Sequence, residues 1–283
     1  MTWTVRSVLA WAKGYLEGKG VESPRLDAEV LLAHALGTER IHLYLDMDRP
    51  LSGEELSAYR VLLKRRSLRE PVAYILGFRE FFSHSFLVSP DVLIPRPETE
   101  LLVEEAVEIS PPGSEVFELG VGSGAVIVSI LLSRPDLVGH GNDTSMPALA
   151  IARENARRHG VSERLSLFAG AGLAALSGRY STIVANPPYI ALSEENTLQE
   201  EVLRFEPRAA LFAGNDGLDV IREILCAVQD NLVPGGRLVM ETGSGQGPEV
   251  ERIIRNNRNV RLVRWVKDLA GFDRAVVVER THG

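Results

Sequence analysis

The chain has 283 residues, 45% of them hydrophobic, and a formal net charge of -7. That length and apolar share suit a globular protein with a sizeable core, in one large domain or two smaller ones. The negative balance excludes broad, unspecific nucleic-acid binding, which needs a basic footprint, although a local basic patch stays open.

Residues 1–75 read as helices. In "MTWTVRSVLAWAKGYLEGKG" the residues Val8, Leu9, Ala12, Tyr15 and Leu16 fall on one helical face. The stretch lacks the basic-then-apolar pattern of a signal peptide, so it reads as an amphipathic helix. "SPRLDAEVLLAHALG" offers Ser23 as a cap and Pro24 as a first helical residue, and stops at Gly37. "SGEELSAYRVLLKRRSLREP" starts at Ser52, with Glu55 completing a capping box. Its basic run, Arg60, Lys64, Arg65, Arg66 and Arg69, reads as a solvated face or as a docking patch for a protein or RNA. Residues 76–95, "FREFFSHSFLVSPDVLIP" within them, have the aromatic and β-branched content of a hairpin that links two domains.

From residue 96 to 283 strands and helices alternate. "EVFEL", "LVGHGND", "LSLFA", "YSTIVA" and "GRLVMETG" read as strands separated by helical stretches. Repeated βα units imply an α/β domain with a mostly parallel sheet covered on both faces. "VRLVRWVKD" and "RAVVVER" are separated only by "LAGFD", which predicts an antiparallel hairpin at one sheet edge.

Other chemistry is thin. One cysteine, Cys226, excludes an internal disulfide and fits a reducing cytoplasm. No apolar run reaches membrane-spanning length. His34, His42, His84, His140, His159 and His282 are scattered without metal-ligand spacing, so no metal site is expected.

Two motifs stand at predicted strand ends. Gly120, Gly122 and Gly124 follow "EVFEL" and open a helix. Glycines there let the backbone turn tightly and approach a ligand. The spacing is neither the dinucleotide fingerprint nor a Walker loop, and a tight βα turn without a ligand would look the same. Asp143 ends the next strand. A carboxylate there can accept both hydroxyls of a ribose, or cap the helix over 146–158. The second motif is Asn186-Pro187-Pro188-Tyr189, after "YSTIVA". The prolines stiffen the chain and aim their carbonyls, and Asn186 adds an amide oxygen. Two fixed acceptors suit a planar –NH2 group, over whose π system Tyr189 can lie.

This combination resembles the class I S-adenosylmethionine-dependent methyltransferases that act on planar nitrogens. "SPRLDAEVLLAHALG", "PVAYILG", "LIPRPETELLV", "RFEPRAALFAGNDGLD", "LVPGGRLVMETGSGQ" and "DLAGFDRAVVVER" are similar to the HemK/PrmC family of protein-glutamine N5-methyltransferases, over nearly the whole chain. The resemblance implies a Rossmann-like, mostly parallel seven-stranded sheet with an antiparallel last strand, behind a small helical domain that recognises substrate. It implies S-adenosyl-L-methionine as methyl donor, held by Glu118, Gly120, Val121, Gly122, Ser123, Gly124, Asp143, Gly172 and Asn186. It implies methylation of the glutamine in the Gly-Gly-Gln motif of class 1 peptide-chain release factors, met free or on the ribosome. Asn186, Pro187, Pro188 and Tyr189 would bind the glutamine and carry the chemistry, with Arg96, Pro97, Glu98 and Thr99 shaping the wall. Glu118, Val121, Ala171 and Gly172 depart from the family's usual residues, the last two where an acidic-then-aromatic pair near the adenine is typical. Two alternatives remain at this point: a nucleic-acid amino-methyltransferase, and a catalytically silent binding protein.

Overall fold

A computed structural model describes residues 2–176 and 178–281; His282 lies outside the described residues. The chain divides into two compact units, Met1–Phe78 with Gln199–Phe205, and Arg79–Leu198 with Glu206–Gly283. The segment Gln199–Phe205, read from the sequence as part of 96–283, therefore groups with the N-terminal helices.

The first unit contains α1 (Val5–Glu17), α2 (Pro24–Ala35), α3 (Arg40–Leu45), α4 (Gly53–Ser67) and α5 (Val72–Leu76). Its core joins Val8, Ala12 and Leu16 of α1 to Leu31 and Leu32 of α2 and Leu63 of α4. Ser52 and Glu55 form the expected capping box at α4, with bonds of 3.2 and 2.8 Å. Ser23 occupies the cap position of α2, but its side chain makes no capping bond, so Pro24 alone marks that start. The basic run is only partly a solvated face: Arg60 and Lys64 are exposed, but the other three make ion pairs. Arg66 is buried and holds Asp27 at 2.6 Å and Glu201 at 3.0 Å. Arg69 adds a second guanidinium to Glu201, and Arg65 binds Glu70. The two carboxyls on Arg66 shift in opposite directions. Burial pushes Asp27 up against its single arginine. Burial also opposes ionisation of Glu201, yet bonds from two arginines outweigh it and hold that carboxyl low.

The second unit begins at Arg79, within the first strand of a hairpin made of β1 (Phe78–Phe81) and β2 (His84–Leu87). Phe82 and Ser83 form its turn at φ +49° and +61°. A bulky residue is strained there, and Phe82 is fixed by a bond from its N–H to Glu100 at 2.8 Å. Phe81 and Phe86 are buried in the core of this unit, so the hairpin is part of its packing. Then follow α6 (Glu100–Ile109), β3 (Glu115–Leu119), α7 (Ala125–Ser133), β4 (Val138–Asp143), α8 (Met146–Arg158), β5 (Leu165–Ala169) and β6 (Tyr180–Ala185). After α9 (Glu200–Phe205) of the first unit come α10 (Asp219–Asn231), β7 (Leu232–Glu241), α11 (Gly247–Asn256), β8 (Val260–Lys267) and β9 (Asp273–Arg280).

The seven strands β3 to β9 form one sheet in the order β5-β4-β3-β6-β7-β9-β8. The first five are parallel, and β9 runs antiparallel to both β7 and β8. The predicted hairpin is present, with β8 at the edge and β9 inside it. One face of the sheet packs on α6, α7 and α8 through Val103, Ile127, Leu131, Ala156, Val184 and Val239. The other packs on α10 and α11 through Phe117, Ile183, Ile221, Leu225 and Ile254. Strand order reverses between β3 and β6. In an open parallel sheet that reversal opens a crevice at the carboxyl ends of the two strands.

Candidate active site

Both sequence motifs lie at that crevice, and strand register shows how. Leu119 pairs with Asn142 and with Ala185, and Ala185 pairs with Met240. The next residue on each strand therefore falls in one row along the carboxyl edge: Gly120, Asp143, Asn186 and Glu241.

Gly120, Gly122 and Gly124 take φ values of +73°, +51° and +77°, which disfavour any side chain. A Cβ at Gly120 or Gly122 would meet no protein atom within 4 Å, so the need there is conformational and the space beyond stays open. Gly120 and Val121 both donate their N–H to the Asn142 carbonyl at 3.0 Å. The Val121 side chain is buried with Leu149 and Ala152, in the space that Gly141 leaves by lacking a Cβ. The Ser123 carbonyl accepts Asn155 Nδ2 at 2.8 Å.

Glu118 is buried at the end of β3. Its Oε2 accepts the N–H of Ile127 at 3.0 Å, in the first turn of α7. Gly124, at the N-cap, has no side chain to do this, so Glu118 caps the helix from the strand. Burial, with the Asp143 charge nearby, pushes its carboxyl well above the usual range. Asp143 accepts the Gly122 N–H at 2.9 Å and the Ser145 N–H at 2.8 Å. It does not cap α8; Ser145 does, through Ala148. Each Asp143 oxygen keeps lone pairs for a further donor. Gly172 has φ +59° and accepts Asn142 Nδ2 at 2.9 Å, and it is exposed along with Ala171. Leu173 is in the core, and Phe168 packs on Phe117.

At the end of β6, Asn186 Nδ2 donates to Thr99 Oγ1 at 3.1 Å. Thr99 Oγ1 donates to Glu241 Oε2 at 2.7 Å, and Tyr189 OH donates to Glu241 Oε1 at 3.1 Å. Among the described residues no donor reaches Asn186 Oδ1 or the Pro187 carbonyl. Tyr189 is also held through its backbone. Gln246 Nε2 donates to its carbonyl at 2.9 Å, and Gly217, at φ +74°, leaves room for that carbonyl where a Cβ would lie 2.3 Å away. Burial pushes the Glu241 carboxyl up to about 7; bonds from Thr99 and Tyr189 and the Arg274 charge oppose this, and the Glu98 charge adds to it. Burial, then the Glu241 charge, also pushes the Tyr189 phenol up.

Of the linker residues only Thr99 touches Asn186. Arg96 binds Glu206 at 2.5 Å, and Glu206 accepts the Ile94 N–H at 3.2 Å, which anchors the segment. Pro97 and Glu98 are exposed on the turn that leads to Thr99. Glu241, Asn155 and Gln246 were not singled out from the sequence as site residues. The stretch "LVPGGRLVMETGSGQ" marks a family resemblance without saying that its glutamate faces Asn186; only the β6–β7 register does so. Among the described residues no group of three or more His, Cys, Asp or Glu could hold a metal ion. No helix among them is long and apolar enough to cross a membrane.

The sheet order and the two motifs at its reversal define a class I methyltransferase. A methyltransferase from Pyrococcus furiosus has the same fold, with a TM-score of 0.53 at 14% identity over 81% of this chain and 99% of that one. Residues 7–77 match the PrmC N-terminal domain family, and residues 97–211 the methyltransferase small domain family. The release factor glutamine methyltransferase of Geobacter sulfurreducens is 47% identical over 88% of this chain and 87% of its own length. That of Nitratidesulfovibrio vulgaris is 41% identical over 98% and 95%. The chain belongs to the family of release factor glutamine methyltransferases.

Proposed function

We propose that this chain transfers a methyl group from S-adenosyl-L-methionine to the side-chain nitrogen of the glutamine in the Gly-Gly-Gln motif of class 1 release factors, in the cytoplasm. The observation that carries the reading is the pair of acceptors that no donor among the described residues takes, Asn186 Oδ1 and the Pro187 carbonyl, beside a phenol fixed by Glu241. An amide nitrogen is a poor nucleophile because its lone pair is delocalised. Two acceptors on its N–H bonds orient it and stabilise the positive charge that builds on it during transfer. Tyr189, held by Glu241 and Gln246, would lie over the amide plane. The proton leaves after the methyl has moved, so no strong base is needed.

The residues present fit the donor. The open space over Gly120 and Gly122 and the spare lone pairs of Asp143 suit a ribose-bearing ligand. The backbone of Gly120, Val121, Gly122, Ser123 and Gly124 would hold it, with Asp143 on the ribose, Gly172 near the base and Asn186 at the reacting end. Glu118 acts on it indirectly by fixing the loop. S-adenosyl-L-methionine, when bound, supplies a methyl group on a sulfonium, which is electrophilic without further activation. Recognition of the release factor is assigned to the first unit, because the second already carries the loop and the amide site. The nucleic-acid alternative is weakened, since Arg65, Arg66 and Arg69 are engaged in ion pairs and of the basic run only Arg60 and Lys64 are exposed.

The test is incubation of the protein with methyl-labelled S-adenosyl-L-methionine and a purified class 1 release factor, free and ribosome-bound, followed by peptide mass spectrometry. Label on the Gly-Gly-Gln glutamine is expected. Label on another residue, or none while the cofactor binds, overturns the reading.

A further inference from the structure

We propose that Glu241 is the positioning residue that sets the polarity of the amide site: by taking the Thr99 hydroxyl proton it makes Asn186 turn its –NH2 inward and its oxygen toward the substrate. The inference rests on the amide-methylating reading above and deepens it.

A threonine hydroxyl has one proton. An ionised carboxylate can only accept, so the 2.7 Å contact between Thr99 Oγ1 and Glu241 Oε2 commits that proton to Glu241. Thr99 Oγ1 then presents only lone pairs to Asn186, 3.1 Å away. Of the two ends of the asparagine amide, only Nδ2 can satisfy them. Oδ1 is the end left over, and it is the end a substrate –NH2 needs. Reversing the relay would set one –NH2 against another. The second carboxylate oxygen takes the Tyr189 hydroxyl proton, so one buried group fixes both side chains of the motif.

The relay has an acid-sensitive point. Glu98 and Thr99 face Glu241 from the linker turn, Tyr189 from the loop after β6 and Arg274 from β9; Arg96 bears on Tyr189. Burial dominates among these influences and puts the Glu241 midpoint at about 7. Once protonated, Glu241 can donate to Thr99. The Thr99 proton is then free for Asn186 Oδ1, and the amide turns over.

The variant Glu241→Gln has the same shape, and its –NH2 imitates the protonated acid. Methyl transfer to release factor, measured from pH 6 to 9, should fall in the wild type as pH drops through about 7. At pH 8 Glu241→Gln should be roughly tenfold or more slower in kcat and flat with pH, with the KM for S-adenosyl-L-methionine within about twofold. Thr99→Val should lose a similar factor, Thr99→Ser should restore most of it, and Thr99→Val/Glu241→Gln should be no slower than the slower single variant. A Glu241→Gln rate within twofold of wild type at pH 8, or a loss confined to cofactor KM, overturns the proposal. A second readout needs no turnover: the Asn186 side-chain amide signal in 15N-labelled protein, assigned by its loss in Asn186→Asp. It should titrate near pH 7 in the wild type and stay fixed in Glu241→Gln. If the wild type methylates no release factor, the functional reading fails while this signal still decides the relay; a signal that is flat in both proteins sinks it.

Discussion

The side chain of Asn155 closes both backbone hydrogen bonds of Leu87: its Oδ1 accepts the Leu87 N–H at 2.8 Å and its Nδ2 donates to the Leu87 carbonyl at 3.0 Å. The amide imitates a neighbouring strand for β2. The same Nδ2 also donates to the Ser123 carbonyl, which ties the hairpin to the glycine loop. Asn155 is fully buried, so each lost bond leaves a buried group without a partner. Asn155→Ala should cost about 2–4 kcal/mol and weaken cofactor binding as well. Urea unfolding and calorimetric titration check both effects; a variant as stable as the wild type would show that water replaces the clasp.

Asn186→Ala removes one fixed acceptor from the amide site and leaves the glycine loop and Asp143 untouched. The loss of one preorganised contact to the transition state is worth about 3 kcal/mol, or roughly a hundredfold in rate. Single-turnover methylation should slow by that factor while affinity for S-adenosyl-L-methionine holds. Unchanged turnover would remove Asn186 from the mechanism.

Glu241 makes stability depend on pH in a direction unusual for a carboxylate. Its folded pKa of about 7 lies above the ordinary 4.5, so the folded state holds the proton more tightly than the unfolded one. The resulting stabilisation is complete below about pH 4.5, declines as pH rises toward 7, and is gone above it. The full change is about 3 kcal/mol. Glu241→Gln cannot ionise and lacks this decline. Glu118 acts in the same sense in both proteins, so the difference between them isolates Glu241. Denaturant midpoints at pH 4.5, 6 and 8 should converge at the acid end, with the variant more stable at pH 8. Parallel curves would mean that Glu241 keeps an ordinary pKa.

Arg66→Ala leaves Asp27 and Glu201 buried without the guanidinium between them. Breaking a buried pair by removing one partner costs about 3–5 kcal/mol. The effect should fall on the first unit, with loss of amide-exchange protection in Glu200–Phe205. A cost below about 1 kcal/mol would indicate that Arg69 alone holds Glu201.

The parts legible in the sequence are those whose meaning is local. Gly120, Gly122 and Gly124 declare a left-handed loop because only glycine tolerates it repeatedly, and Asn186 to Tyr189 form a rigid unit within four residues. The alternating strands and helices gave the sheet class in the same way. Glu241 was not legible, because a glutamate at a strand end ordinarily faces water; it is buried here only because β7 lies beside β6. Asn155 sits in the middle of a helix, and its partners are far away in the chain. Arg66 looked solvated because Glu201, 135 residues later, could not be foreseen as its neighbour. Asp143 could be read as a ribose ligand or as a helix cap; the cap belongs to Ser145, and Asp143 ties two loop segments together.

The position of β9 between β7 and β8 has a consequence for how the sheet assembles. Within the sheet β8 bonds only to β9, so the β8–β9 hairpin is tied to the other strands through the pairing of β9 with β7. Until that pairing forms β7 ends the sheet with an open edge, and the run Val276–Val278 lacks its partner on the β7 side. An open edge beside an apolar β-branched run is the arrangement that recruits strands from other molecules. The β7 edge, next to Glu241, is therefore where an unfinished sheet is exposed to other chains. Crowded refolding should fail there, before the glycine loop is at risk.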